Sequence, residues 1–163
     1  MSKQKWDSND INDQNGKVAI VTGSSSGIGF ETARVLAEKN AEVIIAVRNR
    51  QKGVNAMNAI KKQHKNANVE VMNLDLANLA SVKKFADAFK KTYKRLDILV
   101  NNAGVMVPPY TKTKDGFELQ MGTNHMGHFA LTAYLTGLLK QTKDARIVNV
   151  SSTAHKIGNI DLN

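Results

Sequence analysis

The chain contains no cysteine, which removes disulfides, thiolate zinc sites, iron–sulfur clusters and cysteine nucleophiles together. Only two of the 163 residues are proline, so little of the chain suits a long extended linker. No apolar run approaches the ~18 residues a membrane-spanning helix needs. The polar stretch 1–15 also lacks the apolar core of a signal peptide. A soluble, cytoplasmic protein with no membrane partner is expected. Acidic side chains are scarce as well: 14 Asp and Glu face 23 Lys and Arg, a formal net charge of +9. Such an excess raises nucleic acid as a partner. Aromatic residues are only 6%, however, and they are not interleaved with the basic ones. Lys61, Lys62, Lys65, Lys83, Lys84, Lys90, Lys91 and Lys94 fall mostly on outward helix positions. They read as a solvated face with some long-range attraction for an anionic cofactor, and no nucleic-acid partner is expected.

Apolar residues at 42% and charged residues at 23% are globular composition. Short apolar runs alternate with stretches of helical period. Val18–Thr22, 43–47, Val69–Asn73, 97–101 and 146–150 read as strands. Between them, helical stripes run from Ile28 through Thr32, Val35, Leu36 and Lys39, and through Val54, Met57, Ile60 and His64 within 51–65. The clearest stripe is Val82, Phe85, Ala86, Phe89 and Tyr93. A long helix is predicted over 116–141 with Met121, Asn124, His128, Leu131, Leu135 and Leu138 inward. Strands without polar alternation are buried on both faces of a parallel sheet. Five strand–helix repeats then predict a doubly wound, Rossmann-like α/β fold. The expected organisation is an N-terminal extension, 1–16, and a dinucleotide-binding domain, 17–163. In such sheets ligands bind beyond the carboxyl ends of the strands.

The loop after the first strand reads Thr22-Gly23-x-x-x-Gly27-x-Gly29, with Ser25, Ser26 and Ile28 among its variable positions. Glycines let a backbone approach a pyrophosphate, and the helix N-terminus behind them supplies N–H donors and a positive dipole. Strand before and helix after support dinucleotide binding over a merely flexible turn. The end of the second strand reads Val47-Arg48-Asn49. An acid there would hold an unphosphorylated ribose, whereas Arg48 suits a 2′-phosphate, so NADP is the expected cofactor.

These motifs, joined by Asp75-Leu76, Asn101-Asn102-Ala103-Gly104, Asn124 and Val148-Asn149-Val150-Ser151-Ser152, resemble the short-chain dehydrogenase/reductase family. Asn124-His125-Met126-Gly127-His128-Phe129 and Ser151-Ser152-Thr153-Ala154-His155 are similar to its retinol-dehydrogenase-like branch. The opening, with Trp6, Asp10-Ile11 and Gly16-Lys17, is similar to bacterial members of that branch. The resemblance implies reversible hydride transfer between a nicotinamide and a small-molecule carbonyl or alcohol. It implies that Asp75 and Leu76 meet the adenine, although Asp75 also reads as a helix cap. By the same token Asn102, Ala103, Gly104 and Val150 lie near the nicotinamide end, Asn124 holds a relay water and Ser152 steadies the substrate oxygen. Asn124 also reads as a buried structural amide, and Ser152 as a strand-ending residue.

The family's tyrosine–lysine pair would follow Ser152 by more than the eleven residues after it. The resemblance thus covers only an N-terminal part of the fold, with later strands and helices missing, and the chain as given is expected to be inactive. It leaves room for a homo-oligomer of the full-length protein. The string Tyr110-Thr-Lys-Thr-Lys114 lies in a loop before the long helix and is expected to be an accidental match. His125 and His128, three residues apart, are expected to fill space rather than to hold a metal. The other functional class to weigh is a non-catalytic NADP-binding or interaction module.

Overall fold

Five short runs of β-branched and aliphatic residues become parallel strands because each is long enough to cross a sheet and each of the first four is followed by a helix that covers it. The computed structural model, which describes residues 7–156, runs β1 (Val18–Thr22), α1 (Gly27–Glu38), β2 (Glu42–Val47), α2 (Arg50–Gln63), β3 (Val69–Asn73), α3 (Leu79–Thr92) and β4 (Ile98–Asn101). It continues through α4 (Leu119–Met121), a π-helical turn (Gly122–Met126), α5 (Gly127–Gln141) and β5 (Arg146–Asn149). Every pairing is parallel and the strand order is β3-β2-β1-β4-β5. The direction of winding therefore reverses between β1 and β4.

The two faces of the sheet carry separate cores. Ile20, Ile44 and Leu99 meet α3 and α5 through Phe85, Phe89, Leu131 and Leu135. Val21, Val43 and Ile45 meet α1 and α2 through Ala33, Ala37, Ala56 and Ile60. Burial on both faces holds for the central strands, β1 above all. The edges depart from it: Glu70 of β3 is exposed, and so are all four residues of β5. An edge strand has one neighbour instead of two, and β5 also has little over its faces among the described residues.

The α3 stripe is as predicted, with Val82, Phe85, Ala86, Phe89 and Tyr93 all buried. Two other stripes need correction. On α1 the sheet-facing residues are Gly29, Ala33 and Ala37, while Ile28 is 71% exposed. On α2 they are Gly53, Ala56 and Ile60, with Val54 and Met57 only partly buried. Close helix–sheet approach selects small residues over large ones. A Cβ on Gly53 would stand 2.6 Å from Val47 Cγ2 and 2.7 Å from Val71 Cγ1.

The long helix also starts later than predicted. Gly116 adopts a positive φ of 87° in a turn. The Glu118 carboxylate then caps the new helix by accepting from the Gln120 and Met121 N–H groups at 2.7 and 2.8 Å. The wider π turn shifts the helical phase there, and both Met121 before it and Asn124 within it are exposed. The residues of α5 that point inward are Gly127, His128, Leu131, Leu135 and Leu139, with Leu139 taking the place expected for Leu138. No helix among the described residues is long and apolar enough to cross a membrane.

Candidate functional site

A groove of about 600 Å³ lies at the carboxyl ends of the strands, over the point where the winding reverses. It brings together Gly23, Ser25, Ser26, Ile28 and Gly29 from the first loop and Arg48 and Asn49 from the end of β2. Asp75 and Leu76, beyond β3, and Asn102, Ala103 and Gly104, beyond β4, complete it. Gly27 is in the same loop but is not part of the lining. Residues as far apart in sequence as Gly23 and Gly104 converge here because every loop that follows a parallel strand emerges on one side.

The local reasons are specific. Gly27 has φ +60°, and nothing stands within 4 Å of where a Cβ would be, so the loop offers bare backbone. Ser26 caps α1 without a side-chain hydrogen bond, which leaves the first N–H groups of the helix and their positive dipole end to a ligand. Asn49 is the N-cap of α2, its side chain accepting from Lys52 N–H at 3.0 Å. Asp75 is not a helix cap: its carboxylate accepts from Ala77 N–H at 3.0 Å, and Asn78 caps α3 instead. Asp75 is the one carboxylate in the lining, whereas the β2 side carries Arg48 and also Lys52. Lys52 escaped the sequence reading. Its signal was a cation four residues after Arg48, on the first turn of the next helix.

A second groove, of about 740 Å³, adjoins α5 and β5. Asn124, Val150 and Ser151 line it, together with His125, His128 and Thr132. Ser152 lines neither groove. Its hydroxyl accepts from Ala154 N–H at 3.2 Å, at the start of the 3-10 turn Thr153–Lys156. Asn124, expected to be a buried amide, is exposed and pairs with a single backbone unit. Its Oδ1 accepts from Val105 N–H at 2.8 Å and its Nδ2 donates to the Val105 carbonyl at 2.9 Å. Tyr110 is 76% exposed, and neither Tyr110 nor Lys114 lines either groove. Among the described residues there is no cluster of three or more His, Asp or Glu that would hold a metal.

His128 is buried, and that burial holds its imidazole below the ordinary histidine range despite the Asn124 carbonyl beside it. The unfolded chain therefore takes up a proton first as the pH falls. Stability contributed by the neutral ring is present above about pH 6.5 and is lost as the pH drops through the depressed folded-state value. Urea unfolding followed from neutral to mildly acidic pH is expected to show this loss in the wild type. The His128→Gln variant is expected to lack it, and equal slopes would remove His128 as the cause.

Fold and groove together define a doubly wound α/β domain with a groove at the switch point, where such sheets bind ligands. The chain belongs to the short-chain dehydrogenase family: the family's profile, described as short chain dehydrogenase, matches residues 17–162. Human retinol dehydrogenase 12 is 52% identical over 145 residues, covering 89% of this chain and 46% of the relative. Zebrafish polyprenol dehydrogenase is 45% identical over 157 residues, covering 94% and 48%. The chain thus spans about half the length of the curated relatives it matches. Among solved structures, an uncharacterised protein of Mycobacterium paratuberculosis superposes with a TM-score of 0.83 at 43% identity, covering 98% of this chain and 55% of that one. A short chain dehydrogenase from Escherichia coli CFT073, complexed with NADPH, superposes with a TM-score of 0.78 at 27% identity, covering 91% and 63%.

Proposed function

We propose that this chain is the cofactor-binding part of an NADP(H)-dependent oxidoreductase that interconverts a carbonyl and an alcohol. The observation that carries the reading is the cation pair Arg48 and Lys52 on the β2 side of a groove whose one carboxylate is Asp75, beyond β3. A 2′-phosphate at that position meets two positive side chains and no acid at the carboxyl end of β2. The glycine loop and the helix N-terminus behind Ser26 would hold the pyrophosphate. Asn102, Ala103 and Gly104 would floor the nicotinamide end, and Asp75 with Leu76 the adenine end. When bound, the cofactor supplies the hydride. The NADPH and NADP complexes of structural neighbours support the same choice of cofactor.

Retinol and polyprenol, named in the relatives, are apolar alcohols. Directly after Val105, which lines the groove, this chain exposes Met106 and Val107. An apolar alcohol or carbonyl is therefore the substrate class we infer. A cytoplasmic location belongs to the same proposal.

The test is calorimetric titration of the chain with NADPH and NADH. NADPH is expected to bind more tightly, and Arg48→Ala to weaken NADPH alone by ~1.5–3 kcal/mol, the usual worth of a charged hydrogen bond. Equal affinities for the two cofactors, or an unchanged Arg48→Ala variant, would sink the assignment. A second reading, a non-catalytic NADP-binding module, is favoured by one observation: the Ser152 hydroxyl lies outside both grooves and is engaged in its own turn.

A further inference from the structure

The geometry points to His128 as a positioning residue. Held as the Nδ1–H tautomer between the Asn124 carbonyl and the Thr22 hydroxyl, it ties the cofactor-side floor, residues 102–104, to the turn that carries Asn124. Its binding readout rests on the NADP(H) reading above; its tautomer does not.

The argument is a count of lone pairs and protons. The Thr22 hydroxyl oxygen accepts from Asn102 N–H and from Ala103 N–H, both at 2.9 Å. Those two bonds use both of its lone pairs and leave one proton to give. The nearest acceptor is His128 Nε2 at 2.9 Å; the Val100 carbonyl is further away at 3.3 Å. On the other side of the ring, His128 Nδ1 stands 2.9 Å from the Asn124 carbonyl oxygen, which can only accept. Nδ1 must therefore carry the hydrogen and Nε2 the lone pair. The two ends of the ring demand the same tautomer independently.

The result is one directed chain of hydrogen bonds. The N–H groups of Asn102 and Ala103 point to Thr22, Thr22 donates to His128, and His128 donates to the Asn124 carbonyl. The Asn124 side chain then returns to the same loop through both polar atoms of Val105, closing a ring around Gly104. A Cβ on Gly104 would lie 3.4 Å from Asn124 Oδ1. Thr22 is wholly buried and His128 only 5% exposed, so water does not readily replace a lost partner. The floor beneath the expected nicotinamide and the turn presenting Asn124 are thus set against each other through one imidazole.

The test has two arms. Nitrogen-15 spectra of histidine-labelled chain at neutral pH, without cofactor, are expected to show one imidazole protonated at Nδ1 and exchange-protected. That signal should vanish in His128→Gln and move in Thr22→Val. An Nε2–H tautomer or an imidazolium at His128 would overturn the assignment outright. The second arm measures NADPH affinity for three variants, scored on the folded fraction. Gln can still accept from Thr22, Asn can still donate toward Asn124, and Phe keeps only the volume. Phe is expected to weaken NADPH on the order of tenfold, the size of one lost buried hydrogen bond, with Gln recovering most of it and Asn little. Equal loss in all three, or none in any, would overturn the link through Thr22. Failure of the wild type to bind NADPH would strike the cofactor reading instead, and the spectra would still decide the tautomer.

Discussion

The 163-residue chain, supplied with NADPH and a panel of aldehydes and ketones, is expected to bind the cofactor and give no measurable turnover. Reduction of a carbonyl needs a proton delivered to the new alkoxide, and the reverse reaction needs one removed. The serine hydroxyls are far too weak for either task unaided. Among the described residues, the titratable side chains that line the cofactor groove are Arg48, Lys52 and Asp75, which stand beyond the ends of β2 and β3. On the opposite side, His128 has both ring nitrogens engaged and is held neutral by burial. General acid–base help is typically worth ~10²–10⁴-fold, which sets the size of the expected difference. A longer chain that places Tyr-x-x-x-Lys after Ser152, as the family resemblance implies, is expected to turn over. NADPH oxidation measured on both lengths makes the comparison. Robust turnover by the 163-residue chain, abolished by Tyr110→Phe or His125→Gln, would move the active site to those residues and remove this proposal.

Replacing Gly29 by alanine is expected to abolish detectable NADPH binding and to destabilise the fold. A Cβ there would stand 2.4 Å from Asn102 Nδ2, 2.9 Å from the Gly23 carbonyl oxygen and 3.1 Å from Ser24 Cα. Two of those neighbours are backbone and cannot swing aside. The third donates to the Thr22 carbonyl at 2.8 Å, so moving it breaks the bond that joins the Asn102 side chain to β1. Overpacking costs ~1–3 kcal/mol and an orphaned buried group ~1–3 kcal/mol more. Both losses fall on the loop that would face the pyrophosphate. Thermal melts and NADPH titration of Gly29→Ala check this. A variant that melts and binds like the wild type would show that the glycine loop tolerates a side chain and does not touch the ligand.

Much of this was legible in the residues. Periodicity located all five strands, and the α3 stripe from Val82 to Tyr93 matched because nothing but its own 3.6-residue period decides it. The glycine loop and Arg48 were legible from their places at the ends of the first two strands, and Asn102 only through the family resemblance; they meet because the short loops after parallel strands emerge on one side. Less legible were the faces of α1 and α2. There the residues against the sheet are the small ones, Ala33, Ala37, Gly53 and Ala56, because close packing rewards fit over hydrophobicity. The π turn was invisible as well. No residue type in Gly122–Met126 announces it, yet it turns Asn124 out to solvent and aims its side chain at Val105.

The amino-acid sequence by itself determined the doubly wound fold class and, with it, that a groove lies beyond the carboxyl ends of the strands. Both follow from local periodicity. Tertiary structure alone decided which polar atoms meet across the sheet. Lys52 joins Arg48, Ser152 stays outside the groove, and Thr22 faces His128 across 106 positions of sequence. A hydrogen bond is decided within a few tenths of an ångström, a precision set only once both cores are packed.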